Sequence, residues 1–170
     1  MNDRNYYVKL RNKYLPEKIK IVFILESPPK SGLYFYKKEG RTTEPLFSAM
    51  MRYVLKYKPE NKKDGLVQFK KAGLFLMDAT YRQINHLPIG ERDRIILDDF
   101  PLLIRDLKKV VRRNEKLILV KSNICRILEN KLGDNGFTVI NRGTIVPFPA
   151  TGNQLKFKQK ISKILKNTVG

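Results

Sequence analysis

Ile21-Val22-Phe23-Ile24-Leu25-Glu26-Ser27-Pro28-Pro29 is the stretch on which the fold turns. Its first five residues are apolar without alternation, and Ile21, Val22 and Ile24 are β-branched. A strand with one wet face alternates. One that is apolar on both faces is buried on both, as in a parallel sheet covered by helices. The prolines end the run, because proline cannot donate to a ladder. Three further runs share this character: Leu74-Phe75-Leu76-Met77 ending at Asp78, Leu117-Ile118-Leu119-Val120, and Phe137-Thr138-Val139-Ile140.

Helical patterns lie between them. Residues 1–18 read as a basic N-terminal helix or arm, with the helix over 2–14. Pro45 opens a helix to about Tyr57, since Leu46, Met50, Tyr53, Val54 and Tyr57 recur at helical spacing. Leu66 to Ala72 reads as a short helix closed by Gly73. Residues 91–113 are helical, interrupted at Pro101. Ser122 caps a helix to about Leu132, with Gly133 after it. Residues 153–167 place Phe157, Ile161, Ile164 and Leu165 on one face and lysines on the other. Strands alternating with helices predict an α/β fold. The expectation is a single domain over 1–170, a three-layer α/β/α sandwich around a four-stranded, mostly parallel sheet. Sites in such sheets sit in loops at the carboxyl ends of the strands.

The 170 residues carry 35 Lys and Arg against 16 Asp and Glu, a net charge of +19. Such a field attracts polyanions, and nucleic acid is the first of these, ahead of an acidic membrane surface. The basic residues cluster at Lys9, Arg11, Lys13 and Lys18; at Lys62-Lys63 with Lys70-Lys71; at Lys108-Lys109 with Arg112-Arg113; and along Lys156, Lys158, Lys160, Lys163 and Lys166. One cysteine, Cys125, excludes an internal disulfide framework and a four-cysteine zinc or iron–sulfur site. One histidine, His86, argues against a histidine-rich metal site. No apolar run reaches the roughly 20 residues of a membrane span, and no signal peptide is evident. A soluble cytoplasmic monomer without metal or other cofactor is expected.

Chemistry-bearing residues fall at the predicted strand ends. Glu26 leaves the first strand into a proline-stiffened loop, where a carboxylate could orient water or stabilise positive charge, or serve as a turn carboxylate. Tyr34, Phe35 and Tyr36 follow in a glycine-containing loop that suits base stacking or a satellite core. Asp78 ends the second strand, with Arg82, Gln83, Asn85 and His86 beyond it. Arg82 could hold a phosphate or pair with Asp78, and Gln83 or Asn85 could read a base edge. Lys121-Ser122-Asn123 offers a cation at a helix N-terminus. The last loop, Val146-Pro147-Phe148-Pro149-Ala150-Thr151-Gly152-Asn153-Gln154, is rigid and leads into a helix.

Leu25-Glu26-Ser27-Pro28 resembles the first motif, Gly-Glu/Gln-x-Pro, of the uracil-DNA glycosylase superfamily. The Ser-Gly-x-Tyr-Phe-Tyr pattern and Pro147-Phe148-Pro149-x-x-Gly152 are similar to glycosylase-like members. The likeness spans about residues 20–157. It implies a glycosylase-like fold and excision of a damaged or deaminated base, such as uracil or hypoxanthine, from DNA. The base is flipped into a pocket and its N-glycosidic bond is hydrolysed. Glu26 and Asp78 would be catalytic. Ser27, Pro28, Tyr34, Phe35 or alternatively Phe47, Asn85 and Phe148 would surround the base. Lys30, Arg82, Lys121, Ser122, Asn123, Pro149, Thr151, Gly152, Asn153, Gln154, Leu155 and Lys156 would contact the DNA, with Leu155 as a wedge. The chain departs from that pattern at Leu25 in place of the motif glycine, at Asp78 in place of a base-reading asparagine, and at Phe148 in place of the late-loop histidine. The alternatives are a non-catalytic nucleic-acid-binding module and a small α/β enzyme acting on nucleotides or phosphate esters.

Overall fold

The computed structural model describes residues 3–112 and 114–169. Arg113, counted above among the basic residues, lies outside the described residues, as do Met1, Asn2 and Gly170. The order is α1 (Asp3–Asn12), β1 (Ile21–Leu25), α2 (Pro45–Ala49) continued by a π-helical segment (Met50–Leu55), α3 (Lys62–Lys71), β2 (Leu74–Asp78), α4 (Ile89–Asp98), α5 (Phe100–Val110), β3 (Lys116–Leu119), α6 (Ser122–Asp134), β4 (Thr138–Val139) and α7 (Gln154–Val169). The four strands are all parallel, in the order β2-β1-β3-β4. Helices cover both faces, giving the expected three-layer α/β/α sandwich. Among the described residues no helix is long and apolar enough to cross a membrane.

The apolar runs are buried as their lack of alternation requires. Val22, Phe23 and Ile24 in β1 and Phe75 and Met77 in β2 are fully enclosed. Ile21 pairs with Leu74 and Leu25 with Asp78, while Ile21 pairs with Lys116 and Ile24 with Leu119. β2 is an edge strand, and such edges expose unpaired backbone groups. Here the hydroxyl of Tyr36 covers it, accepting from Leu76 N–H at 2.7 Å and donating to Leu76 C=O at 2.9 Å.

Several boundaries differ from the sequence reading. α3 starts at Lys62, not Leu66, because the Asn61 side chain caps it by accepting from Asp64 N–H at 2.9 Å. The break between α4 and α5 falls at Asp99, and Pro101 sits in the first turn of α5, where its missing N–H costs nothing. Ser122 is not the cap of α6. Lys121 holds that position with φ 90°, and no side chain caps the helix. Gly133 lies inside α6, beneath the Arg142 guanidinium. The stop is Gly136, with φ 85°: Phe137 N–H bonds to Leu132 C=O and Gly136 N–H to Gly133 C=O, which closes the helix end.

Candidate functional site

In a sheet of order β2-β1-β3-β4, the connections leaving β1 and β3 diverge, and a crevice opens beyond their carboxyl ends. Glu26, the first residue after β1, and Lys121, two residues after β3, close on each other across it: Lys121 Nζ donates to Glu26 Oε1 at 2.8 Å. Asn123 Nδ2 donates to Glu26 Oε2 at 2.6 Å, and Arg92 of α4 reaches both oxygens at 3.4 Å. The carboxylate, 5% exposed, is therefore held by two cations and an amide. Lys121 adopts a left-handed backbone (φ 90°, ψ 139°) that a side chain with a Cβ rarely takes. Such strain persists where the surroundings over-determine it. Here Lys121 N–H is fixed to Val146 C=O at 2.7 Å while its ammonium is fixed to Glu26.

Beside this pair lies a cavity of about 370 Å³. Leu25, Glu26, Ser27 and Pro29 line it from the end of β1, and Ser31, Leu33, Tyr34 and Phe35 from the following loop. Glu44, Pro45, Leu46 and Phe47 enter from α2, Leu76 and Asp78 from β2, and Asn85, Lys121 and Phe148 from the other strand-end loops. The size is that of a small-molecule site, mostly apolar with a few polar groups.

Asp78 is 4% exposed, and among the described residues no group donates a hydrogen bond to its carboxylate or forms an ion pair with it. Burial pushes its pKa up to about 7; Arg11 opposes the rise and Glu26 adds to it. The hydroxyls of Tyr34 and Ser27 are likewise buried without partners. Burial also raises the Tyr34 phenol well above its ordinary value, and the charge of Asp78 contributes.

The structure thus brings Glu26, Ser27, Tyr34, Phe35, Phe47, Asp78, Asn85, Lys121 and Phe148 together around one cavity. Phe35 and Phe47 are core residues as well, their rings 5.9 Å apart. Pro28 is buried but does not line the cavity; Pro29 does. Arg82 lies elsewhere: its guanidinium bonds to Asp99 at 2.8 and 3.1 Å, so its partner is neither phosphate nor Asp78. Gln83 is engaged by Tyr7 Oη and Pro29 C=O. Asn123 is 3% exposed and bonded to Glu26, which removes it from any DNA contact. Pro149 is buried, and Gln154 donates to the Pro149 and Pro45 carbonyls, bracing the last loop from within. Lys30, Ser122, Thr151, Gly152, Leu155 and Lys156 are exposed outside the cavity, Asn153 is half-buried beside them, and Leu155 is 63% exposed. His86 is exposed in a turn.

Three residues of the site went unread in the sequence. Arg92 stands 66 positions from Glu26, on the polar side of a helix start, and carried no local signal. Glu44 precedes the helix-opening proline. Lys62, counted among the surface cations, is fully buried, paired with Glu44 at 2.6 Å and donating to Tyr34 C=O at 2.8 Å. Arg11 is also no surface charge: it is buried, donates to Tyr81 Oη at 2.6 Å and lies 3.7 Å from Asp106. Among the described residues no group of three or more His, Cys, Asp or Glu is placed to hold a metal ion. The chain matches no protein-family model, and a search of curated proteins finds no significant match.

Proposed function

We propose that the chain is a DNA glycosylase that receives a flipped, damaged or deaminated base in the cavity beside Glu26 and hydrolyses its N-glycosidic bond. The observation that carries this reading is the convergence of three carboxylates (Glu26, Glu44 and Asp78), a cation and three phenylalanines on one cavity at the carboxyl edge of the sheet, in a chain of net charge +19. The exposed lysines of α7 supply sequence-independent attraction to phosphate. Phe148, half-buried on the cavity wall, offers a face for an unstacked base, against the enclosed apolar wall of Phe35 and Phe47.

Cleavage builds positive charge on the sugar and negative charge on the departing base. Glu26 stabilises the first and orients the attacking water, which takes the place of the long 3.4 Å Arg92 contacts at its oxygens. Lys121, on the same wall, supplies the cation for the leaving base. That is a task the late-loop histidine performs in the superfamily this sequence resembles, and Phe148 cannot perform it. The test is incubation of the purified protein with duplexes carrying uracil, hypoxanthine, xanthine or 8-oxoguanine, followed by detection of abasic sites. Abasic product from at least one duplex is expected, with Glu26→Ala and Lys121→Ala each reducing it more than 100-fold. No product from any duplex overturns the reading.

The tight seating of Glu26 between Lys121, Arg92 and Asn123 favours a second reading, a module that grips nucleic acid without cleaving it. Salt-steep duplex binding with no base released would select that module.

A further inference from the structure

We propose that Asp78 makes the cavity a reader of guanine-type bases, its carboxylate taking the adjacent N1–H and 2-amino donors of that edge. The inference rests on the reading of the cavity as a nucleobase site. Asp78 lines the cavity, is 4% exposed, and has neither a hydrogen-bond donor nor an ion-pair partner at its carboxylate among the described residues. The cation nearest in effect, Arg11, is committed to Tyr81 at 2.6 Å and to Asp106 at 3.7 Å. A buried carboxylate without donors is costly, so the site is incomplete without a ligand that brings N–H groups.

An ionised carboxylate only accepts, and side by side it accepts two bonds. Among the bases, two adjacent donors stand on the guanine edge. Uracil presents one N–H between two carbonyls, hypoxanthine one N–H beside a carbonyl, and neutral adenine and cytosine an amino group beside an acceptor. An asparagine at this position would suit the lactam edges instead. The unpartnered hydroxyls of Tyr34 and Ser27, which line the same cavity, remain for the O6 carbonyl. The groups facing Asp78 are Tyr7 and Arg11 from α1, Glu26, Tyr34 and Tyr36 from the loop after β1, and Tyr81 beyond β2. Donors from a guanine edge favour the ionised form, so binding strengthens as pH rises from 6 to 8. On this view the substrates are guanine lesions altered away from the N1–H and 2-amino edge.

Calorimetric titration with guanosine, 1-methylguanosine, inosine and uridine tests this without requiring catalysis. Guanosine is expected to bind at least tenfold more tightly than the other three, more so at pH 8 than at pH 6. Asp78→Asn is expected to abolish that preference. Should this variant fail to fold, the comparison of guanosine with 1-methylguanosine on the native protein decides alone. Equal binding of guanosine and 1-methylguanosine, or preference for uridine or inosine, overturns the inference. Release of uracil from duplexes without any guanosine preference would sink the inference and leave the glycosylase reading standing. Guanosine preference with no base released from any duplex would do the reverse.

Discussion

Asp78→Asn removes a buried charge at nearly constant side-chain shape, and its effect on stability depends on pH with a definite sign. Burial, with a smaller contribution from Glu26, raises the Asp78 pKa from 3.8 to about 7 against the opposing pull of Arg11. Between those values the folded protein retains a proton that the unfolded chain has released. The folded state then binds more protons, and stability falls as pH rises. A displacement of about three pH units, at about 1.4 kcal/mol each, amounts to about 4 kcal/mol, fully expressed above pH 7. Somewhat under half of this is already lost at pH 5, which leaves roughly 2–3 kcal/mol to be lost between pH 5 and pH 8. Asparagine does not titrate, so the variant lacks this loss; its unsatisfied amide costs about 1–3 kcal/mol at every pH alike. Urea denaturation of both proteins at pH 5, 6, 7 and 8 isolates the titrating part. The variant should gain roughly 2–3 kcal/mol on the native protein across that range. Parallel curves, differing by a constant within about 0.5 kcal/mol, would show that the Asp78 carboxyl ionises normally in the fold.

The Glu26 seat predicts that Glu26→Gln, which leaves Lys121 and Arg92 without their counter-charge, costs about 2 kcal/mol, or roughly 5 °C in Tm by thermal unfolding. An unchanged Tm would mean that the seat contributes nothing to folding. Tyr36→Phe strips Leu76 N–H and C=O of their partner and should cost about 2 kcal/mol in urea denaturation. Tyr34→Phe, which deletes an unpartnered hydroxyl, should be neutral or stabilising; equal losses in the two variants would refute the assignment. Reversing Lys156, Lys160 and Lys163 to glutamate should lower the slope of log affinity against log salt by up to about 3 for duplex DNA, read by fluorescence anisotropy. An unaltered slope would remove α7 from the DNA-facing surface.

What the sequence disclosed was what repeats along the chain or changes abruptly within it. Ile21–Leu25 and Leu74–Asp78 announced buried parallel strands because burial on both faces erases alternation. α7 announced itself because Phe157, Ile161 and Ile164 recur at helical spacing against exposed lysines. The same reasoning placed Glu26, Asp78, Lys121 and Phe148 at strand ends, and parallel topology then brings strand ends to one edge. Pairings across the fold were not legible. Arg92, Arg11 and Lys62 look like any other cation on a basic chain, and only tertiary contact separates them from the surface. Closeness in sequence offers Asp78 as the partner of Arg82, yet Asp99 competes from 17 positions away and wins on geometry. Ser122 satisfied the composition rule for a helix cap, but the turn at Lys121 starts the helix one residue early, and that turn is imposed by Glu26 and Val146 rather than by its own sequence.

That turn connects stability to chemistry. A left-handed conformation at a lysine costs on the order of 1–3 kcal/mol, which a glycine would avoid. A glycine would also forfeit the ammonium that reaches Glu26 at 2.8 Å across the crevice between β1 and β3. The fold therefore sustains strain at the position where a cation is needed on the cavity wall, and offsets it with the salt bridge and the Val146 hydrogen bond. Lys121→Gly separates the two contributions. Relief of strain and loss of the ion pair nearly cancel, so stability should move by less than about 1 kcal/mol. Base release should fall as far as it does in Lys121→Ala. A glycine variant that is both as stable and as active as the native protein would show the strained lysine to be incidental, and would remove the cation from the proposed leaving-group step.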